Sequence, residues 1–261
     1  MELFASLPMV VQTLLLSCIT CGLTILGSSM VFFFKTINQK VIDIMMSLSA
    51  GVMLASAFFS LLLPAIEQSE TLFNTNYIIP TIGFFVGGIL VVVVDIFLDK
   101  VTKNSFVGFV EKKKQFLLMS AITFHNIPEG MCVGVAVASV NLGLEGGLIS
   151  AIMLAVGIGI QNFPEGASVS LPMRTANNGR FKSFLWGAFS GIVEPVFAVL
   201  ACLTASVAIK VLPFLLALSS GAMISVACTE LISESASHNK NLTTIFVLVG
   251  FCIMMVLDLA L

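Results

Sequence analysis

The sequence predicts an all-α integral membrane protein: eight transmembrane helices in a 3+2+3 arrangement with inverted repeats, and both termini on the outer side. Three observations carry that expectation. Of 261 residues, 58% are hydrophobic and 10% charged, whereas a soluble domain usually carries about 25% charged residues. The apolar residues come in continuous runs long enough to cross a bilayer core, which takes about 20 residues, and they do not alternate as barrel strands do. The basic residues fall almost entirely on alternate connections between those runs. The chain therefore reads as one transmembrane domain over 1–261, with no sizeable soluble part.

The first span covers about 7–34 and follows MELFASLP, which has an acidic residue but no Lys or Arg. A cleaved signal needs a positive n-region, so this span is expected to be retained. The second covers about 41–63 and carries SAGVMLASAFFSLL from Ser49; the third covers about 77–98. Between the third and fourth lies the charged stretch DKVTKNSFVGFVEKKKQ, expected as the longest loop, with no histidine cluster. The fourth and fifth, about 115–139 and 145–172, hold HNIPEG and QNFPEG. The sixth, about 183–209, holds Glu194-Pro195; the seventh, about 212–233, holds SSGAMISVACTELI from Ser219; the eighth covers about 242–260. Cys18, Cys21, Cys132, Cys202, Cys228 and Cys252 all fall inside spans, where thiols act as small apolar residues. Cys18-x-x-Cys21 has no further ligand near it in sequence.

Lys35 and Lys40 lie in the first connection, Lys100, Lys103, Lys112, Lys113 and Lys114 in the third, Arg174, Arg180 and Lys182 in the fifth, and Lys240 in the seventh. Only Lys210 falls on the other side, in an expected tight sixth connection. The positive-inside rule then places the odd-numbered connections in the cytoplasm, as in a multi-pass protein of the plasma membrane. No basic patch with interleaved aromatics is present, which excludes nucleic acid as a partner. The partners implied are the lipid bilayer and whatever the polar groups inside the spans hold. Small-residue faces leave a homodimer open without deciding it.

The segments from Ser49 and Ser219 match at an offset of 170: Ser49/Ser219, Gly51/Gly221, Met53/Met223, Ala57/Ala227 and Leu61/Leu231. Span 2 would run outward and span 7 inward, and the two Pro-Glu-Gly motifs also sit on oppositely directed spans. Inverted repeats with a polar site on proline-interrupted helices are a recurring plan of secondary transporters.

Each helical residue advances about 100°, so positions i, i+1 and i+4 share a face. That places His125, Asn126 and Glu129 together on span 4, and Gln161, Asn162 and Glu165 together on span 5. Span 6 adds Glu194. Ionisable groups at that depth are costly against lipid and are expected to face one another. Pro128, Pro164 and Pro195 each remove an amide donor, and Gly130 and Gly166 permit close helix approach. Three carboxylates, one imidazole and three amides, with no thiolate, suit Zn²⁺, Fe²⁺, Mn²⁺ or Co²⁺ better than Cu⁺. Two other readings stay open at this point. An intramembrane metalloenzyme could use a buried metal, although H-E-x-x-H is absent and no Glu is left as general base. A carrier for an organic solute could use the same acids.

HNIPEG in span 4 and QNFPEG in span 5 resemble the two signatures of the ZIP (Zrt-, Irt-like protein) family of divalent-metal transporters. Gln161 in place of His resembles the GufA-like branch. The resemblance covers the whole chain, including Glu194-Pro195 and the segments SAGVMLASAFFSLLLPA and SSGAMISVACTELISES. It implies transport of Zn²⁺, or of Fe²⁺, Mn²⁺, Co²⁺ or Cd²⁺, toward the cytoplasm, with the ion as cargo, no catalytic cofactor and no enzymatic activity. It also implies a paired metal site: His125, Glu129, Gln161 and Glu165 at one position, and Asn126, Glu129, Asn162, Glu165 and Glu194 at the other, bridged by Glu129 and Glu165.

The chain departs from the family's pattern at several places. Asn162 stands where some GufA-like members have Asp, and Ser60 where many eukaryotic members have His. Thr229-Glu230-Leu231-Ile232-Ser233-Glu234 lacks one acid and the proline of the usual span 7 motif, leaving Glu230 and Glu234 as release-site candidates. Asp95, Asp99 and His238 read either as helpers near the membrane faces or as solvated loop-end charges. Met53 and Met131 read as packing or as lining of the path.

Overall fold

Pro8 opens the first long helix: its missing amide costs nothing there, and its carbonyl accepts the amides of Val11 and Gln12 at 2.8 and 3.0 Å. A computed structural model of the chain describes residues 2–33, 38–75, 77–102, 108–141, 147–175 and 178–260; among them every regular element is helical. Helix α1 spans Met9–Phe33 and α2 spans Gln39–Phe73. Asn38 caps α2 by accepting the Lys40 amide at 3.1 Å. Asn74 ends it in the left-handed region at φ 55, which asparagine tolerates. Then come α3 (Ile78–Thr102), α4 (Gly108–Asn141) and α5 (Leu148–Thr175). Helix α6 (Arg180–Leu203) turns at Ile192, immediately before Glu194-Pro195. Helix α7 (Ala205–Val226) leads through a π turn into α8 (Ser233–Ala260), which bends at Asn239 (φ −154, ψ 96). The Asn239 side chain accepts the Leu242 amide at 3.1 Å, capping the rest of α8 as a separate rod.

Among the described residues, six helical stretches are long and apolar enough to cross a membrane, with Ala205–Ala260 counted as one. Several ends differ from expectation. Helix α2 runs on to Phe73, well past the expected end near 63. The break between α6 and α7 comes at Thr204, so Lys210 lies inside a helix and not in a tight connection, because the apolar run resumes at Ala205. Helix α3 reaches Thr102 and α4 starts at Gly108, so most of the expected 99–114 loop is helical. Lys35 and Lys103 lie outside the described residues, as do the side chains of Asp99, Lys100, Lys112, Lys113 and Lys114.

The offset of 170 has a backbone counterpart. Ala57–Leu62 in α2 and Ala227–Ile232 after α7 are both π turns. Pro64 follows the first and no proline follows the second, so the widening belongs to the repeated segment rather than to proline. The Ser220 hydroxyl donates to the Ala57 carbonyl at 2.7 Å, supplying a partner where the ladder widens.

The helices pack as two groups of four. In one, α1 lies along α5 and α4 along α6; in the other, α2 lies along α8 and α3 along α7. Glycines set these close approaches. A Cβ on Gly51 would overlap the Val247 carbonyl and one on Gly250 the Leu48 carbonyl; one on Gly221 would overlap the Phe84 carbonyl and one on Gly87 the Leu218 carbonyl. Gly51 and Gly221, matched in the repeat, thus play the same part on α8 and α3. Helix α1 buries a hydroxyl stripe of Thr13, Ser17, Thr20, Thr24 and Ser28. Ser17, Thr20 and Ser28 donate to carbonyls of their own helix at 2.8, 2.9 and 3.0 Å, which a water-free setting demands. The outer face of α3 exposes Ile82, Phe85, Val93 and Phe97.

Gly87→Val should therefore destabilise the protein by roughly 1–3 kcal/mol, the usual scale of overpacking. It is measured as a lower thermal midpoint in detergent. Gly22, with nothing within 4 Å of its would-be Cβ, should accept Ala with no loss.

Candidate metal centre

The Pro-Glu-Gly motifs sit mid-helix on α4 and α5, and Glu194 sits just past the turn at Ile192 in α6. All seven sequence-predicted residues (His125, Asn126, Glu129, Gln161, Asn162, Glu165 and Glu194) are buried. Gly130 and Gly166 bring the backbones close enough for this. A Cβ on Gly130 would meet the Glu194 carbonyl, and one on Gly166 the Thr24 carbonyl and Ser28. So α4 closes on α6 while α5 closes on α1.

Four of the seven converge directly. His125 Nε2 lies 3.0 Å from Glu129 Oε1 and 3.3 Å from Glu165 Oε1. One ligand atom from each of these three residues lies within 4.8 Å of the others. The Gln161 amide donates to Glu129 Oε1. Asn162 Nδ2 donates to Glu194 Oε2 at 2.9 Å, and Thr24 Oγ1 donates to Glu194 Oε1 at 3.1 Å. Asn126 is turned toward α6, where Nδ2 donates to the Ser190 carbonyl at 2.8 Å. Thus Asn162 and Glu194 form a second group beside the first, with the Asn126 oxygen left over.

The unsatisfied atoms define the chemistry. Glu129 Oε2, both Glu165 carboxylate oxygens, Asn126 Oδ1 and Asn162 Oδ1 are buried without a hydrogen-bond partner, and His125 Nε2 lacks hydrogen-bond geometry to its neighbours. Carboxylate and amide oxygens are acceptors only. A group of acceptors cannot satisfy itself, and leaving it dry costs several kcal/mol. Positive charge, as a cation or as protons, would complement such a group, and His125, Glu129 and Glu165 are spaced so that they could hold a metal ion.

A cavity of about 420 Å³ reaches this cluster. Its lining includes Glu129 and Gln161 of the cluster, Cys132 and Met153, Ser60 in the π turn of α2, and Asp258 near the end of α8. Ser60 donates to Asp258 Oδ1 at 2.7 Å and approaches Gln161 Oε1 at 3.4 Å. Met53 and Met131 belong instead to the apolar cluster packed between α2, α4, α5 and α7, which decides for packing. Asp95 is half-buried on α3. Glu230 lies on the second π turn and Glu234 on the turn after it. His238 is exposed and pairs with the buried Asp43 at 3.2 Å.

Sequence reasoning missed the partners that come from other helices. Ser219 Oγ lies 3.1 Å from His125 Nδ1, and Ser56 Oγ donates to Gln161 Oε1 at 2.7 Å. Ser219 carried a signal, as the first matched residue of the repeat. Asp258 and Asp43 were visible as acids within apolar runs. Thr24 and Ser56 look like any small polar residue of a span.

A family model described as "ZIP Zinc transporter" matches residues 107–258. "Zinc transporter ZIP11" of Xenopus tropicalis is 32% identical, over 97% of this chain and 98% of that protein. "Zinc transporter ZIPB" of Bordetella bronchiseptica is 30% identical, over 91% of this chain and 77% of that protein. "Zinc transporter GufA" of Myxococcus xanthus is 34% identical, over 56% of this chain and 55% of that protein. With both signature hexapeptides on adjoining helices and relatives matching along its length, the chain belongs to the GufA-like branch of the ZIP zinc-transporter family, and is a multi-pass membrane transporter rather than an enzyme.

Proposed function

We propose that the protein imports divalent transition-metal ions, Zn²⁺ foremost, toward the cytoplasm through a binuclear site on α4, α5 and α6. The observation that carries this reading is the set of buried acceptor oxygens around His125, none with a donor. Zn²⁺ ligands sit about 2.0–2.2 Å from the ion, which in a tetrahedron separates them by about 3.3–3.6 Å. The His125–Glu129 and His125–Glu165 spacings of 3.0 and 3.3 Å are close to such an edge, so small side-chain shifts would admit an ion. His125, Glu129, Glu165 and Gln161 make the first position. Glu194, Asn162 and Asn126, with the free oxygens of Glu129 and Glu165, make the second. Because no thiolate takes part, Fe²⁺, Mn²⁺, Co²⁺ and Cd²⁺ compete through the same ligands.

The chain forms a single transmembrane domain of eight spans built on α1 to α8. The seventh runs from α7 through the π turn and the first residues of α8 to the bend at Asn239, and the eighth from there to the end of α8. Spans 1–3 and 6–8 are related by inversion about the central pair, which the matched π turns and matched glycine approaches support. Lys40, Arg174, Arg180, Lys182 and Lys240 mark the cytoplasmic ends, and both termini face outward from the plasma membrane. The cavity is lined by the π turn and Pro64 of α2, the end of α8 and the start of α5, and the ends of α8 and α5 it reaches face outward in this orientation. Ions enter along it, and release follows when the group carrying the ligands moves against the group formed by α2, α3, α7 and α8.

Glu165→Ala should reduce metal uptake by cells to background while the amount of protein in the membrane stays unchanged; undiminished uptake would sink the site. Glu129→Gln should abolish Zn²⁺ binding by the purified protein in detergent, read by calorimetry. Reconstituted vesicles offered Zn²⁺, Fe²⁺, Mn²⁺, Co²⁺ and Cd²⁺ should take up Zn²⁺ fastest. Tags at both termini should be reachable by antibody on intact cells, and tags seen only after permeabilisation would reverse the orientation.

A further inference from the structure

His125 and Gln161 belong to the group that carries the ligands, yet the atoms that orient them come from the other group. His125 Nδ1 meets Ser219 Oγ of α7 at 3.1 Å, with both side chains buried. An imidazole binds an ion through a nitrogen that carries no proton, and which nitrogen that is depends on the hydrogen bond made by the other. With Ser219 Oγ accepting from Nδ1–H, the lone pair falls on Nε2, the nitrogen that faces Glu129 and Glu165. Gln161 is held the opposite way round. Its Oε1, the only atom of that side chain able to ligate a cation, accepts from Ser56 Oγ of α2 at 2.7 Å. Its Nε2 is thereby turned onto Glu129.

We propose that Ser219 and Ser56 are positioning residues of opposite sign, Ser219 holding His125 ready for the ion and Ser56 holding the Gln161 oxygen away from it. The proposal rests on the metal-site reading above. Its consequence is that ion affinity depends on the register of the two helix groups. A slide of one helical turn, about 5.4 Å, breaks the Ser219 and Ser56 contacts at once. Ser60, one turn along α2 from Ser56 and already 3.4 Å from Gln161 Oε1, is the one neighbour of the pair placed to replace Ser56. Ser219 has no serine or threonine one turn along α7 to replace it. The serines thus tie occupancy of the site to its position, which is what a carrier needs if binding and release are to happen at different registers.

The test compares Zn²⁺ affinity of the purified full-length chain with that of Ser219→Ala and Ser56→Ala, by competition with a chelating dye. Loss of an outer partner of a metal-bound histidine typically weakens binding about 10–100-fold. Ser219→Ala should weaken binding on that scale and raise the KM for uptake, with Ser219→Thr restoring both. Ser56→Ala should tighten binding severalfold. Ser47→Ala, a buried serine bonded to the Asp43 carbonyl, serves as the packing control and should change neither. Any other combination of affinities, including both alanine variants weakening together, overturns the proposal. Failure of the parent itself to bind Zn²⁺ would instead sink the site reading on which it rests.

Discussion

The structure depends on one electrostatic constraint: three carboxylates are buried at the centre of a bundle with too few donors to satisfy them. An acidic side chain at the middle of a membrane helix costs roughly 2.5–3.5 kcal/mol even on the gentler scales. Glu129, Glu165 and Glu194 impose that cost three times over, and among the described residues their hydrogen-bonding neighbours include Gln161, Asn162, Thr20, Thr24 and His125. Every nearby feature reduces it without removing it. Amides donate to two of the three acids, and the glycines let helices close out lipid. What remains is a set of free oxygens with one sign of charge, and the proposed cargo supplies the opposite sign.

The proposed inversion would explain why the arrangement needs so few kinds of part. Each half provides a helix with a π turn, a glycine that lets that helix pack on its neighbour's carbonyl, and a Pro-Glu-Gly motif. Gly51 against α8 and Gly221 against α3 are the same contact made twice. The same holds for Gly130 against Glu194 and Gly166 against Thr24, residues that stand 170 positions apart. Two groups of helices built this way meet across an interface whose polar contacts among the described residues include Ser49 on the Pro164 carbonyl at 3.1 Å, Ser56 and Ser60 on Gln161, and Ser219 on His125. Such an interface resists lateral separation through its apolar core, while sliding would break only a handful of hydrogen bonds.

Much of this was legible in the sequence, for identifiable reasons. A 3.6-residue period places His125, Asn126 and Glu129 on one face whatever surrounds them, and the same arithmetic places Gln161, Asn162 and Glu165. The repeat from Ser49 to Ser219 was legible because the residues that make close contact, the glycines above all, cannot vary freely. What was hidden depends on contacts across helices. Ser219 facing His125, Ser56 facing Gln161 and Asp43 facing His238 need the packing to be known, since a serine or an aspartate in a span carries no mark of its partner. Lys210 was misplaced because hydropathy does not distinguish a helix that ends at Leu203 and restarts at Ala205 from one that runs on. The π turns left no trace in residue type at all.

The asymmetries between the matched halves define the proposed site more sharply than the symmetry does. Two identical halves would provide two histidines or two glutamines at the first motif position, and two acids or two threonines at the sixth-span position. Instead His125 is matched by Gln161, and Glu194 by Thr24. A second imidazole would bring another group able to carry positive charge into competition with the ion. A fourth carboxylate at position 24 would add uncompensated negative charge against Glu194, where Thr24 now donates to it at 3.1 Å. The substitutions therefore lower the charge on each side while keeping a polar atom at each vertex. The repeat sets the frame and the geometry, and on the proposed reading the mismatched pairs would adjust the charge of that frame to one or two divalent ions.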